Sequence, residues 1–185
     1  MKPHLIYILS ALVMMSCGKS YTESDSENLK PKQADPQTIK KQNDEAIVNI
    51  NKVLSEKESK QIRNYIERRQ WQMKVSDGVF IQKTLSTQGK PITDKSLVVL
   101  EYTLSLIDGT IVYSSAKDGV KKIRFGSSDD EPVGLLYALR TMRMGDEANV
   151  IVPSYLGYGL YGDRKKIKPH QTLIYTIKIK DVKQI

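Results

Sequence analysis

The feature that most limits what this chain can become is a change of hydrophobic period near Gly78. Before it, Ile47, Ile50 and Leu54 stand at i, i+3 and i+7, one face of a helix. After it the period is two. Between Leu97 and Leu106, the residues Val98, Leu100, Tyr102, Leu104 and Leu106 fall on alternate positions and share one face of a strand. Further strands follow from Val79-Phe80-Ile81, from Thr110 to Tyr113, from Ala148 to Val152 and from Leu173 to Val182. Asp108-Gly109 marks the hairpin turn between the strand ending at Leu106 and its partner, Thr110 to Tyr113. In the last strand Leu173, Tyr175, Ile177 and Ile179 face one way, while Lys178 and Lys180 face the other. One short helix interrupts the series between Pro132 and Met142, with Leu135, Leu139 and Met142 at i, i+4 and i+7. The pattern predicts an α+β fold: an antiparallel sheet of about five strands wrapped on one short helix, preceded by a helical N-terminal arm.

The arm itself occupies residues 41–74. Ser55-Glu56-Lys57-Glu58 matches a capping box, which predicts a second helix starting there. Ile62, Tyr65 and Ile66 supply the apolar stripe of that second part, and Arg68 and Arg69 belong to a solvated face. The stripe is read as packing against the domain, with a partner-binding or dimerising surface as the alternative.

The start of the chain has a different character. Lys2 precedes an apolar run from Leu5 to Met15, eleven residues, where a bilayer-spanning helix needs about 20. The run suits the core of a signal peptide, residues 1–16. It ends on Met14-Met15-Ser16-Cys17, which resembles the lipobox of bacterial lipoproteins, with Met14 where leucine is usual. Cys17 is then the lipidated residue and a membrane the partner. The competing reading is an ordinary secretory signal with an incidental cysteine. Residues 17–40 are rich in Ser, Lys, Glu, Asp and Pro and nearly free of large apolar side chains, so they read as a flexible tether. A coil of that length spans roughly 25–30 Å.

Composition removes several kinds of chemistry. The 185 residues hold one cysteine and two histidines, His4 and His170, so a zinc site built from His and Cys is all but excluded. No disulfide can form within the chain. The formal charge of +8 favours anionic surfaces or acidic partners and says nothing about fold. Nucleic acid does not suit an exported chain. Gly157-Tyr158-Gly159-Leu160-Tyr161-Gly162 formally matches GxGxxG, but a basic loop follows instead of a phosphate-binding helix. That loop carries Arg164, Lys165, Lys166 and Lys168.

Residues 78–185 resemble an FKBP-type peptidyl-prolyl cis-trans isomerase domain. The resemblance lies in YTLSLIDGTIVYSS (102–115), ALRTMRMGDEANVIVP (138–153), PSYLGYGLYG (153–162) and IKPHQTLIYTIKIKDV (167–182). These follow the family's order at nearly its spacing, with about one extra residue near Ser127-Ser128. The arm and the cysteine ahead of it are similar to gliding-motility-associated FKBP-like lipoproteins of Bacteroidetes. The resemblance implies an envelope protein, lipid-anchored on the periplasmic side of the outer membrane, that acts on proline-containing clients as a folding helper. It implies no cofactor and no metal. The barrier to X-Pro rotation is amide resonance, about 18–20 kcal/mol, and an aromatic cup that favours the twisted, less polar amide lowers it without acid–base chemistry.

By the same resemblance Tyr102, Tyr158 and Tyr175 are the catalytic tyrosines of the cup. Val112, Tyr113, Leu135 and Ile167 are its substrate-binding residues. Four departures bear on activity. Val112-Tyr113 stands where the family has Phe-Asp, so a wall and a carboxylate are missing there. Leu135 replaces the tryptophan floor. Pro132 falls where a backbone N–H should meet the substrate carbonyl, and proline has none. Lys168 replaces a loop proline. The expectation is an isomerase with weakened activity, or a non-catalytic module that uses the cup and arm in a gliding or secretion assembly.

Overall fold

Alternation of buried and more exposed residues runs through the two longest strands, Ser96–Leu106 (β3) and Leu173–Gln184 (β7), and these pair with each other antiparallel at the centre of the sheet. In this computed structural model residues 35–126 and 130–185 are described. The signal segment, Cys17 and most of the stretch read as a tether lie outside them. The chain divides into two units, Met1–Asp44 and Glu45–Ile185. Of the first, only residues from Asp35 onward are described.

Outward from the central pair, Glu147–Val152 (β6) lies beside β7, then Val79–Leu85 (β2) and Lys74–Ser76 (β1). On the other side, Ile111–Ser114 (β4) and Lys121–Arg124 (β5) both pair with β3, with the single-turn helix Ser115–Asp118 (α2) between them. Every pairing is antiparallel. The sheet thus has seven strands where the periodicity marks five. The two extra ones, β1 and β5, are three and four residues long, too short to show an alternation.

The two faces of the sheet do different work. On one face the helix Val133–Arg140 (α3) buries Leu135, Ala138 and Leu139 against Val79, Val150, Val152, Leu173 and Tyr175. Close approach needs Gly134, because a Cβ there would lie 2.5 Å from Val152 Cγ1. On the opposite face Ile151 and Ile174 pack with Ile62 and Tyr65 of the arm, and Phe80, Trp71 and Met73 complete that cluster. Tyr65 meets Trp71 edge-on at 5.6 Å, and the Arg69 guanidinium lies 4.2 Å over the Tyr65 ring. Period two in β6 and β7 therefore serves two cores at once.

The arm is one helix, Pro36–Arg69 (α1), which differs from the reading above in three respects. It starts within the stretch read as tether. Asp35 precedes Pro36, its carboxylate accepts the Gln37 N–H at 3.4 Å, and proline suits the first helical position. It also runs unbroken through Ser55–Glu58, because Glu58 bonds elsewhere in the fold and not back to the Ser55 backbone. Finally, the first stripe does not pack on the domain: Ile47, Ile50 and Leu54 stay exposed, as do Val48 and Val53. Only the second stripe docks. Gln70, at φ +54°, ends the helix, with the Trp71 N–H bonded to the Ile66 carbonyl at 3.1 Å.

Asp146 is the one charged side chain among the described residues that is wholly buried. It accepts bonds from Lys83 Nζ at 3.0 Å, from the Thr87 N–H at 2.7 Å and hydroxyl at 3.0 Å, and from the Arg143 N–H at 3.0 Å. Burial alone would raise its carboxyl; these donors outweigh it and hold the group below the usual carboxylate value.

Candidate functional site

Register brings the site together. Leu104 of β3 stands opposite Tyr175 of β7 on one side and Tyr113 of β4 on the other. Tyr102 lies two residues earlier on the same face. The loop between β6 and β7 lays Tyr158, Asp163 and Lys165 across this strand platform, and Asp118, Lys121, Asp130 and Glu131 close the rim. The result is a cup of about 510 Å³. Tyr175 is only 2% exposed; Tyr102, Tyr113 and Tyr158 are half-buried.

All four hydroxyls are held in the neutral form. Burial, with Asp118 and Glu131 adding, raises Tyr102. Burial and the bond to Asp163 push Tyr113 up to about 12. Burial, with Glu131 nearby, pushes Tyr158 well above the ordinary tyrosine value, and burial beside Tyr158 does the same for Tyr175. Each hydroxyl therefore remains an O–H donor at neutral pH.

The carboxylate of the cup comes from the loop. Tyr113 donates its hydroxyl to Asp163 Oδ2 at 2.5 Å. The other oxygen, Oδ1, accepts the backbone N–H groups of Lys165, Lys166 and Ile167 at 2.9, 2.9 and 2.7 Å. Burial would raise this carboxyl, but the hydroxyl and the three N–H donors together lower it. The tight return after Asp163 depends on Gly162, at φ +63°, where a Cβ would sit 2.0 Å from the Ile167 carbonyl oxygen. Lys166 Nζ lies 4.6 Å over the Tyr113 ring and donates to the Val112 carbonyl at 3.3 Å. Across the rim Lys121 pairs with Glu131 at 2.7 and 2.9 Å and stands 5.3 Å over the Tyr102 ring. The rim of the aromatic cup is therefore charged, with four acids and two lysines.

Behind the loop, the Glu58 carboxylate of α1 accepts three bonds. Ser154 donates its N–H at 2.7 Å and its hydroxyl at 2.9 Å, and Thr172 donates its hydroxyl at 2.5 Å. Ser154 starts a short 3₁₀ turn, Ser154–Leu156, at the head of the loop. Thr172 ends the loop just before β7.

Of the residues singled out from the sequence, Tyr102, Tyr113, Tyr158 and Tyr175 line the cup together. Leu135, 0% exposed, and Ile167, 3% exposed, belong to the core beneath it, and Val112 packs half-buried against that core. None of these three is on the lining, because each of their side chains is used up in α3, loop or strand packing. Pro132 caps α3 with its carbonyl accepting the Leu135 N–H at 2.9 Å. Sequence reasoning did not pick out Asp163, Lys121, Glu131 or Glu58. Asp163 had a local signal, an acid after Gly162 that can satisfy successive backbone N–H groups; Glu58 had none that distinguishes it from a cap.

Residues 88–180 match the family described as FKBP-type peptidyl-prolyl cis-trans isomerase. The chain is 33% identical over 104 residues to the probable FKBP-type peptidyl-prolyl cis-trans isomerase FkpA of Neisseria meningitidis, covering 56% of this chain and 38% of that one. It is 40% identical over 87 residues to the outer membrane protein MIP of Legionella longbeachae, covering 47% and 36%. The matched stretch thus spans little more than a third of either relative. Among solved structures, FkpA from Escherichia coli superposes with a TM-score of 0.61 at 24% identity, over 82% of this chain and 75% of that one. A peptidyl-prolyl cis-trans isomerase from Pseudomonas syringae superposes with 0.58 at 24% identity, over 70% and 96%. At these identities the structural likeness speaks for the fold.

Proposed function

The chain belongs to the FKBP-type peptidyl-prolyl cis-trans isomerase family, and from that premise we propose that it catalyses X-Pro rotation in exported polypeptides as a folding helper. The observation that carries this reading is the convergence of Tyr102, Tyr113, Tyr158 and Tyr175 on one cup. A proline ring seated against Tyr175 brings the preceding carbonyl within range of the Tyr158 hydroxyl, which is an O–H donor at neutral pH. Fixing that carbonyl while the ring side turns favours the twisted amide over the planar one. The test is turnover of a proline tetrapeptide by wild type and Tyr158→Phe. We expect the variant to lose about five- to tenfold, the size of one hydrogen bond of roughly 1 kcal/mol. Equal rates would refute this assignment of the site.

We place the protein at the bacterial envelope, lipid-anchored through Cys17 on the periplasmic side of the outer membrane and of the kind associated with gliding motility. The lipobox-like Met14-Met15-Ser16-Cys17 and a relative named as an outer membrane protein support this. Labelling with a radioactive fatty acid that is unchanged in Cys17→Ser would rule the anchor out.

A second reading has specific support. Val112, Tyr113, Pro132 and Leu135 depart from the family's cup, and the exposed Ile47, Val48, Ile50, Val53 and Leu54 leave α1 with apolar surface for a protein partner. The chain would then be a binding module in a gliding or secretion assembly. Proline-peptide binding without turnover favours it; turnover near that of an unmodified family enzyme excludes it.

A further inference from the structure

Tyr158 sits between two glycines, Gly157 and Gly159, the residues that restrict a backbone least. Its placement over the cup therefore depends on what holds its neighbours. Both of their N–H groups donate to one carbonyl, that of Ser154, at 3.1 and 2.9 Å. The Gly159 carbonyl in turn accepts the His170 N–H at 2.9 Å, which ties the first half of the loop to its end. The circuit is completed from outside the loop. Glu58 takes the N–H and hydroxyl of Ser154 and the hydroxyl of Thr172 on its two carboxylate oxygens. Ser154 and Thr172 are 6% and 4% exposed, so water is a poor substitute for the carboxylate. The helix that supplies Glu58 is itself seated on the sheet through Ile62 and Tyr65, one and two turns further on.

We infer that Glu58 is a positioning residue for the cup: the arm clamps both ends of the loop and so fixes Tyr158. The arm is thereby part of the site's scaffold as well as a spacer or partner surface. This rests on the reading of the cup as the prolyl site, and the experiment separates the two.

Three variants of the full chain decide it: Glu58→Ala, Glu58→Gln and the control Glu56→Ala on the exposed side of α1. The first readout is amide hydrogen exchange at Gly159 and His170. In Glu58→Ala these amides exchange about tenfold faster or more, given the loss of bonds to a charged acceptor. In Glu58→Gln, which keeps an acceptor oxygen, they change little, and in Glu56→Ala not at all. The second readout is kcat/KM on the proline tetrapeptide, alone and combined with Tyr158→Phe. Once the loop is released, removing the hydroxyl costs little more, so the two losses combine to less than their product. Unchanged exchange in Glu58→Ala, or a Tyr158→Phe loss as large there as in wild type, overturns the inference. A wild type without turnover overturns the prolyl reading instead, and the exchange arm then decides the role of Glu58 by itself. Should Glu58→Ala fail to fold, a thermal loss with no change of exchange in Glu58→Asp, whose shorter arm cannot reach both ends, also overturns it.

Discussion

Replacing Asp163 by alanine tests whether the loop carboxylate organises the cup. The side chain accepts four bonds, one from the Tyr113 hydroxyl and three from the N–H groups of Lys165, Lys166 and Ile167. A bond to an ionised acceptor contributes about 1.5–3 kcal/mol net. The three backbone bonds resemble those at a helix N-cap, whose loss costs about 0.5–2 kcal/mol. Lys165 and Lys166 are exposed and their N–H groups can turn to water; Ile167 is buried and its N–H cannot readily do so. With solvent discounting the outer half of the network, the loss should be about 2 kcal/mol. Urea denaturation, followed by the fluorescence of the single tryptophan, Trp71, reads it. For a slope of about 1–3 kcal/mol per molar the midpoint falls by roughly 1 M. Tyr113→Phe should lose about half as much, since it removes one of the two bonds that remain once the exposed Lys165 and Lys166 donors are discounted. Asp163→Asn should also lose less than alanine, because its amide oxygen still accepts the backbone donors. A midpoint within about 0.2 M of wild type for Asp163→Ala, on the same slope, would refute the reasoning and make the loop's shape a property of Gly162 and its neighbours alone.

Two further outcomes are expected. Leu135→Trp, which restores the residue typical of the family at that place, should not rebuild a floor: Leu135 is fully buried, and the larger ring should cost about 1–3 kcal/mol by overpacking. Thermal melting reads that cost, and a variant that melts as wild type does while binding proline peptides more tightly contradicts it. In acid, Asp146 and Asp163 should act together. Both carboxyls are depressed in the folded chain, so their stabilisation is complete above the unfolded value near 3.9 and is lost as pH falls through the lower folded values. A urea midpoint that does not fall between about pH 4 and pH 2 would contradict this sign.

The longer strands and their facing were legible because period two is a local property. Val98, Leu100 and Leu104 are all buried as the alternation requires, and Leu173, Tyr175, Ile177 and Ile179 lie on one face of β7. What period two does not tell is how many cores a sheet serves. Ile151 and Ile174 occupy the off-phase positions of β6 and β7, and they are buried only because the arm covers that face. The same blindness affected α1. Ile47, Ile50 and Leu54 show a helical stripe as clear as that of Ile62, Tyr65 and Ile66, yet only the latter meets the sheet. Periodicity marks a face that wants cover without naming the cover. Ser55-Glu56-Lys57-Glu58 misled for a related reason: the residues of a capping box are the residues of a solvated helix turn, and the acid was needed 96 positions away at Ser154.

The cup sharpens the point, because a motif compares positions along the chain while chemistry compares positions in space. Read by alignment, Tyr113 stands in place of a carboxylate, and the site looks stripped of its acid. In the fold the tyrosine reaches across to Asp163, so aromatic ring and carboxylate are both present, the carboxylate coming from a different part of the chain. The acid now sits on the loop that carries Tyr158, not on the rigid β4 strand. Its position is therefore as good as the loop's, and the loop is held at two places: inside the cup by Tyr113 and behind it by Glu58. A site anchored on strands loses activity when a contact residue changes. A site carried by a clamped loop should also lose it when either clamp is released, with every cup tyrosine still in place. The substitutions at Val112, Tyr113 and Leu135 are then poor guides to the rate, and the order of residues 153–172 is the better one.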